Sequence, residues 1–262
     1  MLARHRDRRI VPLELWDLVV DGVPLYRHNR ADVVGFAAAL GRGVQAVIDG
    51  VAVCESGTRL PALCREVREV VLVGGAADGL VWAGARVPAR LADDPHGCAE
   101  RGGRAILARL GECERGLVVD LGQSRLKISG ARRHSHPRDF ARIPVSTRPV
   151  DGAGRAALIA WVAAALREAA DERPPAAIVL ALPCEIAADG ELGTCSYPWA
   201  AGEAIVAEFL AAAGLAGLPG VLLNDAELAA IGVAERGPIA APTLVLTVGF
   251  GIGGALVLPG DA

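Results

Sequence analysis

The sequence predicts an α/β fold with mixed sheets, and three observations carry that prediction. Apolar segments of strand length alternate with segments of helical spacing from residue 10 to residue 258. Two segments, 116–133 and 243–258, pass from one apolar strand through a glycine-containing turn into another, which is typical of β-hairpins and hence of partly antiparallel sheets. The 262 residues are 52% hydrophobic and 22% charged, which excludes a disordered chain and allows one large or two modest domains.

The individual elements follow from apolar periodicity and from helix start and stop signals. In the first half, 10–20 is a strand or strand–turn, 31–53 a helix beginning at Asp32, 67–80 a buried strand entering a Gly-Gly turn, 81–91 of mixed strand character, and 96–111 a short helix. In the second half, the 116–133 hairpin precedes a helix (153–170), a fully apolar strand (176–183), a helix (202–214), a strand (220–225), a helix (226–237) and the 243–258 hairpin.

The charge pattern argues against a nucleic-acid or membrane partner. The net charge is −3, so no broad positive field attracts nucleic acid or an anionic membrane. The first ten residues carry five cationic side chains, counting His5, and are interpreted as a solvated basic tail. No segment reaches the roughly 18 apolar residues of a membrane span.

The cysteines indicate neither a metal site nor a disulfide framework. They stand at 54, 64, 98, 113, 184 and 195 without a Cys-x-x-Cys pair, and the histidines at 5, 28, 96, 134 and 136 show no ligand spacing. We therefore expect reduced thiols, most of them buried, in a cytoplasmic protein that binds no structural zinc.

A first motif with chemical character is DLGQSRLK, residues 120–127. Asp120 ends a buried strand and Gly122 makes a tight turn, where backbone N–H groups can face an anion. A carboxylate in this place can hold Mg²⁺ through water. The alternative interpretation is an ordinary turn after a strand.

A second motif, TVGFGIGG at 247–254, has four glycines between two β-rich segments. Glycine is unfavourable inside strands, so a glycine-rich hairpin tip indicates close approach of a ligand such as a phosphate. A glycine-bulged hairpin without a ligand is the alternative.

A third motif is the strand that delivers Asn224 and Asp225 to its carboxyl end, where ligands bind in α/β proteins. Asp225 also stands where a helix begins, so a capping role competes with a catalytic one. Lys127 is the single lysine among 27 basic residues, and Asn224 is one of two asparagines; both scarce residues fall in these motifs.

Together, the three motifs in this order resemble the ROK family of sugar kinases and sugar-sensing proteins, within the actin/hexokinase superfamily of two-domain, ribonuclease H-like folds. The resemblance makes Asp225 the catalytic base and Asp120 the residue that positions Mg²⁺, with Asn224 binding substrate. It assigns nucleotide phosphates to two loops, one containing Gly122, Gln123, Ser124 and Lys127 and the other Gly249, Gly251, Gly253 and Gly254.

The family's later elements resemble the first third of this chain. LELWDLVV (13–20) is similar to a degenerate sugar motif with Glu14 as its substrate-binding acid, and VVLVGGAADGL (70–80) to the adenosine motif with Gly74 and Gly75. The resemblance thus implies a circularly permuted chain order. It divides the chain into a larger substrate and adenosine domain (1–111 and 226–262) and a smaller phosphate-loop domain (112–225). The two hairpins are expected to face each other across one cleft, with Gly74 and Gly75 on its rim.

Two departures bear on function. The family's Gly-His becomes Trp16-Asp17, and its zinc-binding cysteine cluster is missing. Two hypotheses remain: an ATP- and Mg²⁺-dependent kinase of carbohydrate metabolism that phosphorylates a hydroxyl of a sugar-like molecule, and a catalytically inactive nucleotide- or sugar-binding or assembly protein. A homodimer is one option for the oligomeric state, which the sequence leaves open together with the identity of the acceptor.

Overall fold

The computed structural model describes residues 2–5, 7–13, 15, 17–28, 32–57, 64, 66–77, 89–139, 142–143, 152–187, 189–195 and 204–260. Its helices are α1 (Val33–Ile48), α2 (Cys98–Arg109), α3 (Gly152–Glu172), α4 (Ile205–Ala212) and α5 (Asp225–Ala234), with a 3-10 turn at Leu25–Arg27. Its strands are β1 (Ala3–Arg4), β2 (Ile10–Leu13), β3 (Val19–Val20), β4 (Val23–Pro24), β5 (Glu69–Val73), β6 (Ala89–Leu91), β7 (Gly116–Leu121), β8 (Arg125–Ser129), β9 (Arg133–Pro137), β10 (Ala177–Leu182), β11 (Cys184–Ile186), β12 (Leu192–Cys195), β13 (Gly220–Asn224), β14 (Thr243–Val248) and β15 (Ile252–Val257).

The protein is an α/β protein with mixed sheets, as the sequence predicts, and its chain divides into two compact units. The first unit contains Met1–Arg6 and Gly103–Leu228, and the second contains Asp7–Gly102 and Ala229–Ala262. The divisions within the chain fall inside α2 and α5, near the 111/112 and 225/226 boundaries expected from the sequence. The main difference is that the first six residues belong with residues 103–228.

The first unit is organised around a six-stranded sheet in the order β1-β13-β10-β7-β8-β9. Strands β1, β13, β10 and β7 run parallel, and β7, β8 and β9 form an antiparallel meander. Every residue of β10 is buried, which is why its sequence is the uninterrupted apolar run AIVLAL. Its side chains Ile178, Leu180 and Leu182 pack in one core with those of α3 and α4, including Leu166 and Phe209.

The second unit is organised around a five-stranded sheet in the order β2-β15-β14-β5-β6. Strands β14, β15 and β2 are antiparallel neighbours, whereas β14, β5 and β6 are parallel. Helix α1 covers this sheet through buried residues such as Leu40 and Val44. It begins where the sequence predicts, because the Asp32 carboxylate accepts a hydrogen bond from the amide of Gly35 at 2.9 Å.

The two sheets share one strand order when the second is traced from β14 through β15 to β2. In the first unit, the β7-β8-β9 meander is followed by α3, and β10 and β13 then extend the sheet in parallel from β7. In the second unit, the β14-β15-β2 meander is followed by α1, and β5 and β6 extend the sheet in parallel from β14. A helix follows the last strand in both cases, α5 after β13 and α2 after β6. The equivalence requires β15, near the end of the chain, to be succeeded by β2, near its beginning.

The amino-terminal segment is not the solvated basic tail expected from its charge. Strand β1 pairs in parallel with β13, and Leu2 is buried in the core of the first unit. Arg4 forms an ion pair with Glu227, with an Nη2–Oε1 distance of 2.6 Å, and both side chains are about nine-tenths buried. A charge count cannot reveal this arrangement, since the partner carboxylate lies more than 200 residues away in the sequence.

Strands β9, β11 and β12 escape the sequence prediction. Strand β9 has the polar sequence RHSHP, which lacks the apolar alternation of a half-buried strand. Strands β11 and β12 are only three and four residues long, too short for a periodic signal.

The expectation that all six cysteines are reduced thiols is wrong for Cys184, which is disulfide-bonded. The antiparallel β11–β12 pairing places Cys184 opposite Cys195, a juxtaposition that their spacing in the sequence does not indicate. Cys54, Cys64 and Cys98 are free and buried, as expected, whereas Cys113 is free and exposed. Burial raises the pKa of the Cys64 and Cys98 thiols, which makes them less reactive.

Among the described helices, none combines the length and the apolar character needed to cross a membrane.

The contact between α2 and α5 supplies a test of the fold. A Cβ atom at Gly232 would overlap the backbone carbonyl of Cys98, and Arg101 donates a hydrogen bond to the Gly232 carbonyl at 3.1 Å. Alanine is a better helix former than glycine, so Gly232→Ala would stabilise an isolated helix. In the protein we expect it to lower stability by about 1–3 kcal/mol through overpacking, measured as a fall in Tm. The control is Gly237→Ala, where a Cβ meets open space. Equal Tm values for the two variants would contradict the close contact between these helices.

Candidate functional site

The candidate site in the first unit lies at the carboxyl edge of three parallel strands. Asp120, near the end of β7, is in register with Ala181 on β10, and Ala181 is in register with Leu223 on β13. Asp225 follows two residues later, as the first residue of α5. Two carboxylates are thus brought to the same edge with one strand between them, although they lie 105 residues apart in the sequence.

The environment of Asp225 raises its pKa to about 7. Loss of solvation is the largest cause, and the negative charge of Asp120 is the second. The amide of Ala226 and the charge of Lys127 act in the opposite direction without compensating. Asp225 is therefore a carboxylate that can exchange a proton near neutral pH, which is the property that a general base requires.

Lys127 lies beside Asp120 on the neighbouring antiparallel strand β8, where the two residues are in register. Its Nζ is 3.2 Å from Asp120 Oδ2, and the lysine side chain remains about half exposed while that of the aspartate is mostly buried. The pair places one positive and one negative charge next to Asp225. An exposed ammonium in this position can also contact an anionic ligand.

The turn between β7 and β8 only partly matches the predicted phosphate loop. The amide of Gly122 donates to the carbonyl of Arg125 at 2.9 Å, so it is used within the hairpin. Within the part of the chain that the structure describes, no hydrogen bond is donated by the amides of Gln123 and Ser124, and these two N–H groups are the ones available for an anion. Arg138, which the sequence analysis missed, donates from its guanidinium to the Gln123 carbonyl and from its amide to the Ser124 carbonyl.

The start of α5 is capped mainly by residues other than Asp225. The Asn224 Oδ1 atom accepts from the amide of Ala226 at 2.8 Å, and Glu227 Oε2 accepts from the amide of Asn224 at 3.0 Å. This reciprocal arrangement is a capping box. The Asp225 carboxylate accepts from the adjacent Ala226 amide as well, at 2.8 Å. The helix start therefore does not depend on Asp225 alone.

The side chain of Asn224 is committed to structure on both of its polar atoms. Besides the cap, its Nδ2 donates to the carbonyl of Cys184 on β11 at 2.9 Å. The substrate-binding role expected for Asn224 would compete with these bonds. The function of Asn224 that the structure describes is to fix the strand end from which Asp225 projects.

Two further residues that the sequence analysis missed support this strand end. Glu227 is buried and its carboxylate binds Arg4 with both oxygens, at 2.6 and 2.7 Å, while it caps Asn224. Arg4 also donates to the carbonyl of Ile186 on β11. The Asn-x-x-Glu spacing of a capping box is visible in the sequence, but the pairing of Glu227 with the amino terminus is not.

The second unit brings the predicted adenosine turn next to the glycine hairpin. Strands β5 and β14 are parallel, with Val73 in register with Thr247. Gly74 therefore lies beside Val248, where its φ is +101° and a Cβ atom would overlap the Val248 carbonyl. Only glycine fits this position without strain. A Cβ at Gly75 would meet nothing within 4 Å, so its absence leaves open space beside the turn.

The four glycines of the second hairpin fall into two classes. Gly249 and Gly251 form the tip, joined by a hydrogen bond from the Gly249 amide to the Gly251 carbonyl, and neither has a neighbour where a Cβ would stand. Gly253 and Gly254 lie inside β15, in register with Thr247 and Leu246. A Cβ at Gly254 would stand 2.8 Å from Leu15 Cδ1, so packing explains this glycine without a ligand.

The predicted sugar motif is described only in part. Glu14 lies outside the described residues. Asp17 is buried, and its Oδ2 accepts from the amide of Ser56 at 2.8 Å while its carbonyl accepts from the amide of Glu55. Asp17 thus fixes a turn of the second unit.

The donor set of Asp120 and Asp225 fits Mg²⁺. This ion prefers oxygen ligands and binds through one or two carboxylates together with water and phosphate oxygens. The two carboxylates already repel each other, as the raised pKa of Asp225 shows, and a bound divalent cation would relieve that repulsion.

Comparison with known proteins gives no assignment, since no protein-family model and no curated protein matches the chain.

The raised pKa of Asp225 predicts a pH dependence of stability. An unfolded aspartate titrates near pH 4, so between about pH 4 and 7 the folded protein binds more protons than the unfolded chain, and the free energy of unfolding falls as the pH rises. Asp225→Asn removes this contribution. We expect the variant to gain stability over the wild type across that window, by at most about 4 kcal/mol above pH 7.

Urea unfolding of both proteins from pH 4 to pH 8 measures this difference. Asp171→Asn, at an exposed position of α3, is the matched control and should follow the wild type. A stability difference between Asp225→Asn and the wild type that is constant with pH would show that Asp225 titrates normally.

Proposed function

We propose that this protein is an ATP-dependent phosphotransferase that phosphorylates a hydroxyl group of a sugar-like small molecule, with Asp225 as the general base. The observation that carries the proposal is the state of Asp225. It lies at the carboxyl edge of the sheet beside Asp120, its pKa is about 7, and the capping box of Asn224 and Glu227 relieves it of a purely structural role.

The proposed reaction has a defined atom balance. The acceptor O–H bond breaks as its oxygen forms a bond to the γ-phosphorus of ATP, and the bond from that phosphorus to the β,γ-bridging oxygen breaks, which leaves ADP. Asp225 takes the hydroxyl proton, and a base with a pKa near the working pH is well matched to this transfer. Such transfer depends mainly on positioning and charge stabilisation.

The remaining site residues have roles in positioning and charge. Asp120 is the residue that would hold Mg²⁺ through water, and the ion would supply charge neutralisation on the phosphates. Lys127 orients Asp120 through their ion pair and offers an exposed ammonium to a phosphate. The free amides of Gln123 and Ser124 offer hydrogen bonds to the same group.

The nucleotide would use the glycine features of the second unit in this proposal. Gly249 and Gly251 leave space for a phosphate at the hairpin tip, and Gly75 leaves space beside the backbone for adenosine, next to the close contact of Gly74 with Val248. That the two hairpins face each other across one cleft stays a prediction.

We further propose that the fold is of the actin/hexokinase type with a circularly permuted chain. The shared strand order of the two sheets supports this, because it appears only when β15 is followed by β2. A permutation of this kind preserves every strand pairing and changes only which strands are joined by the chain.

The alternative proposal is a catalytically inactive protein of the same type that binds a nucleotide or a sugar. The specific observation in its favour is Asp17, which replaces the histidine of the family's sugar motif and is buried against Ser56. The hydrogen bonds of the Asn224 side chain with Cys184 and Ala226 also favour the inactive protein, because they occupy the atoms expected to contact a substrate.

In this proposal the partner is a small molecule, and neither nucleic acid nor a membrane is bound. The protein is cytoplasmic, and a homodimer is one option for its assembly. An ATP substrate favours the cytoplasm, whereas the disulfide at Cys184 is more typical of oxidising compartments.

A test of the catalytic proposal compares Asp225→Asn with the control Asp171→Asn. We first identify an acceptor from ATP consumption over a panel of sugars, amino sugars and polyols. With that acceptor, Asp225→Asn should bind ATP like the wild type while turnover falls by about 100-fold or more, since asparagine cannot accept the proton. The wild-type kcat/KM should rise with pH through about pH 7.

The outcomes separate the two proposals. Equal turnover by the wild type and Asp225→Asn would remove Asp225 from the mechanism. Nucleotide binding by the wild type without turnover on any acceptor would favour the binding protein. Failure to bind ATP at all would contradict the kinase and would leave the alternative only as a sugar-binding protein.

A further inference from the structure

A cluster of two histidines and two glutamates lies in the first unit, on strand β9 and helix α3. His134 and His136 stand two residues apart on the edge strand β9, so their side chains share one face of the sheet. Glu168 and Glu172 stand four residues apart on α3, so they are neighbours on one face of the helix. The fold brings these two faces together.

The distances within the cluster are those of a ligand set. His134 Nδ1 lies 3.4 Å from Glu168 Oε1, and His136 Nε2 lies 3.9 Å from Glu168 Oε2. The ligand atoms of His134, His136 and Glu168 all lie within 4.8 Å of one another. Atoms bound tetrahedrally at about 2.0–2.1 Å from a zinc ion are separated by about 3.4 Å, so little movement is needed to close on an ion.

The histidine nitrogens lack the partners that buried polar atoms normally have. The Nε2 atoms of both rings are shielded from solvent and form no hydrogen bond among the described residues. His134 Nε2 is 3.4 Å from Glu172 Oε2 but is not aligned for a hydrogen bond with it. Buried polar atoms without partners are rare and call for an explanation, and for His136 Nε2 a bound ion is one.

We propose that His134, His136 and Glu168 bind a divalent transition-metal ion of the zinc class, with Glu172 positioning the His134 ring. Two imidazoles and a carboxylate suit Zn²⁺, Co²⁺, Ni²⁺ or Cu²⁺, whereas Mg²⁺ and Ca²⁺ prefer oxygen ligands only. A carboxylate beside the second nitrogen of a ligating histidine is a common supporting feature of such sites. Arg132 lies 3.6 Å from Glu172 and balances its charge.

The ion would act as a structural clamp between β9 and α3. Strand β9 is the edge strand of the sheet among the described residues, and most of its side chains are polar. It pairs with β8, where Ser135 is in register with Lys127. Fixing β9 to the helix therefore stabilises the meander that carries Lys127 and Asp120.

This inference revises the expectation that the protein binds no zinc. That expectation rested on the absence of ligand spacing, and His-x-His alone carries little information. The signal appears only when β9 is recognised as a strand, because the two histidines then point the same way, and when α3 supplies the carboxylates.

The competing explanation is a set of His–Glu ion pairs without a metal. Such pairs form when the imidazoles are protonated and therefore strengthen as the pH falls, whereas metal binding requires unprotonated nitrogens and weakens as the pH falls. The two explanations thus predict opposite effects of acid on the cluster.

The test is titration of the metal-stripped full-length chain with Co²⁺, followed by visible absorption, and with Zn²⁺, followed by calorimetry. We expect one ion per chain, a Co²⁺ spectrum of four-coordinate type, loss of binding at acid pH, and a Tm that rises with Zn²⁺ and returns with EDTA. The double variant His134→Gln/His136→Gln should lose binding by at least about 100-fold. The control His96→Gln, at an exposed histidine, should bind as the wild type does.

Two further variants sharpen the assignment. Glu168→Gln should weaken binding and change the Co²⁺ spectrum because it removes a ligand. Glu172→Gln should weaken binding by about 10–100-fold with the spectrum retained, because it removes only support for a ligand. Circular dichroism of each stripped variant establishes that it is folded.

A wild type that binds neither ion, or binds them with the affinity of the folded double variant, would overturn the proposal. A wild type that is indifferent to Zn²⁺, and whose stability advantage over the folded double variant grows as the pH falls, would establish the ion-pair explanation in its place, because Asp225 is present in both proteins.

Discussion

Burial of strand β10 on both faces is the constraint on which the first unit depends. A strand covered on both sides must be apolar throughout, and β10 carries no ionisable residue. Its parallel neighbours β7 and β13 therefore supply the polar groups, and they do so at their carboxyl ends, where Asp120 and Asp225 lie on either side of it. The separation of the two carboxylates by one apolar strand keeps them close enough to interact and leaves Asp225 poorly solvated, which together raise its pKa.

Residues without a proposed catalytic role hold this edge of the sheet in place. The capping box of Asn224 and Glu227 starts α5, and the ion pair of Glu227 with Arg4 ties the same position to the amino-terminal strand. A buried ion pair is costly to break from one side, because the remaining charge then has no partner. These contacts hold the strand end in place. Asp225 therefore keeps the poorly solvated position, close to Asp120, that raises its pKa.

The two units share a strand order but carry different groups at their strand ends. In the first unit β7 and β13 carry Asp120 and Asp225 at or just beyond their carboxyl ends, whereas in the second unit β5 and β14 lead into glycine turns at Gly74 and Gly249. Charged side chains suit an ion and a reacting hydroxyl, and backbone without side chains suits close approach of a flat or anionic group. The proposed division of labour between the units follows from these chemical differences.

The sequence by itself determined much of the secondary structure, the α/β class and the three motifs, because these depend on local apolar periodicity, on the Asp32 cap and on glycine placement. It also pointed to Asp225 as a candidate base. Tertiary structure decided what the other candidate residues do: Asn224 and Glu227 cap α5, Gly254 serves packing, and Asp17 fixes a turn. It alone revealed the disulfide at Cys184, the partner of Arg4 and the cluster at His134. Each of these depends on contacts between residues far apart in the chain, and such contacts leave no periodic trace in the sequence.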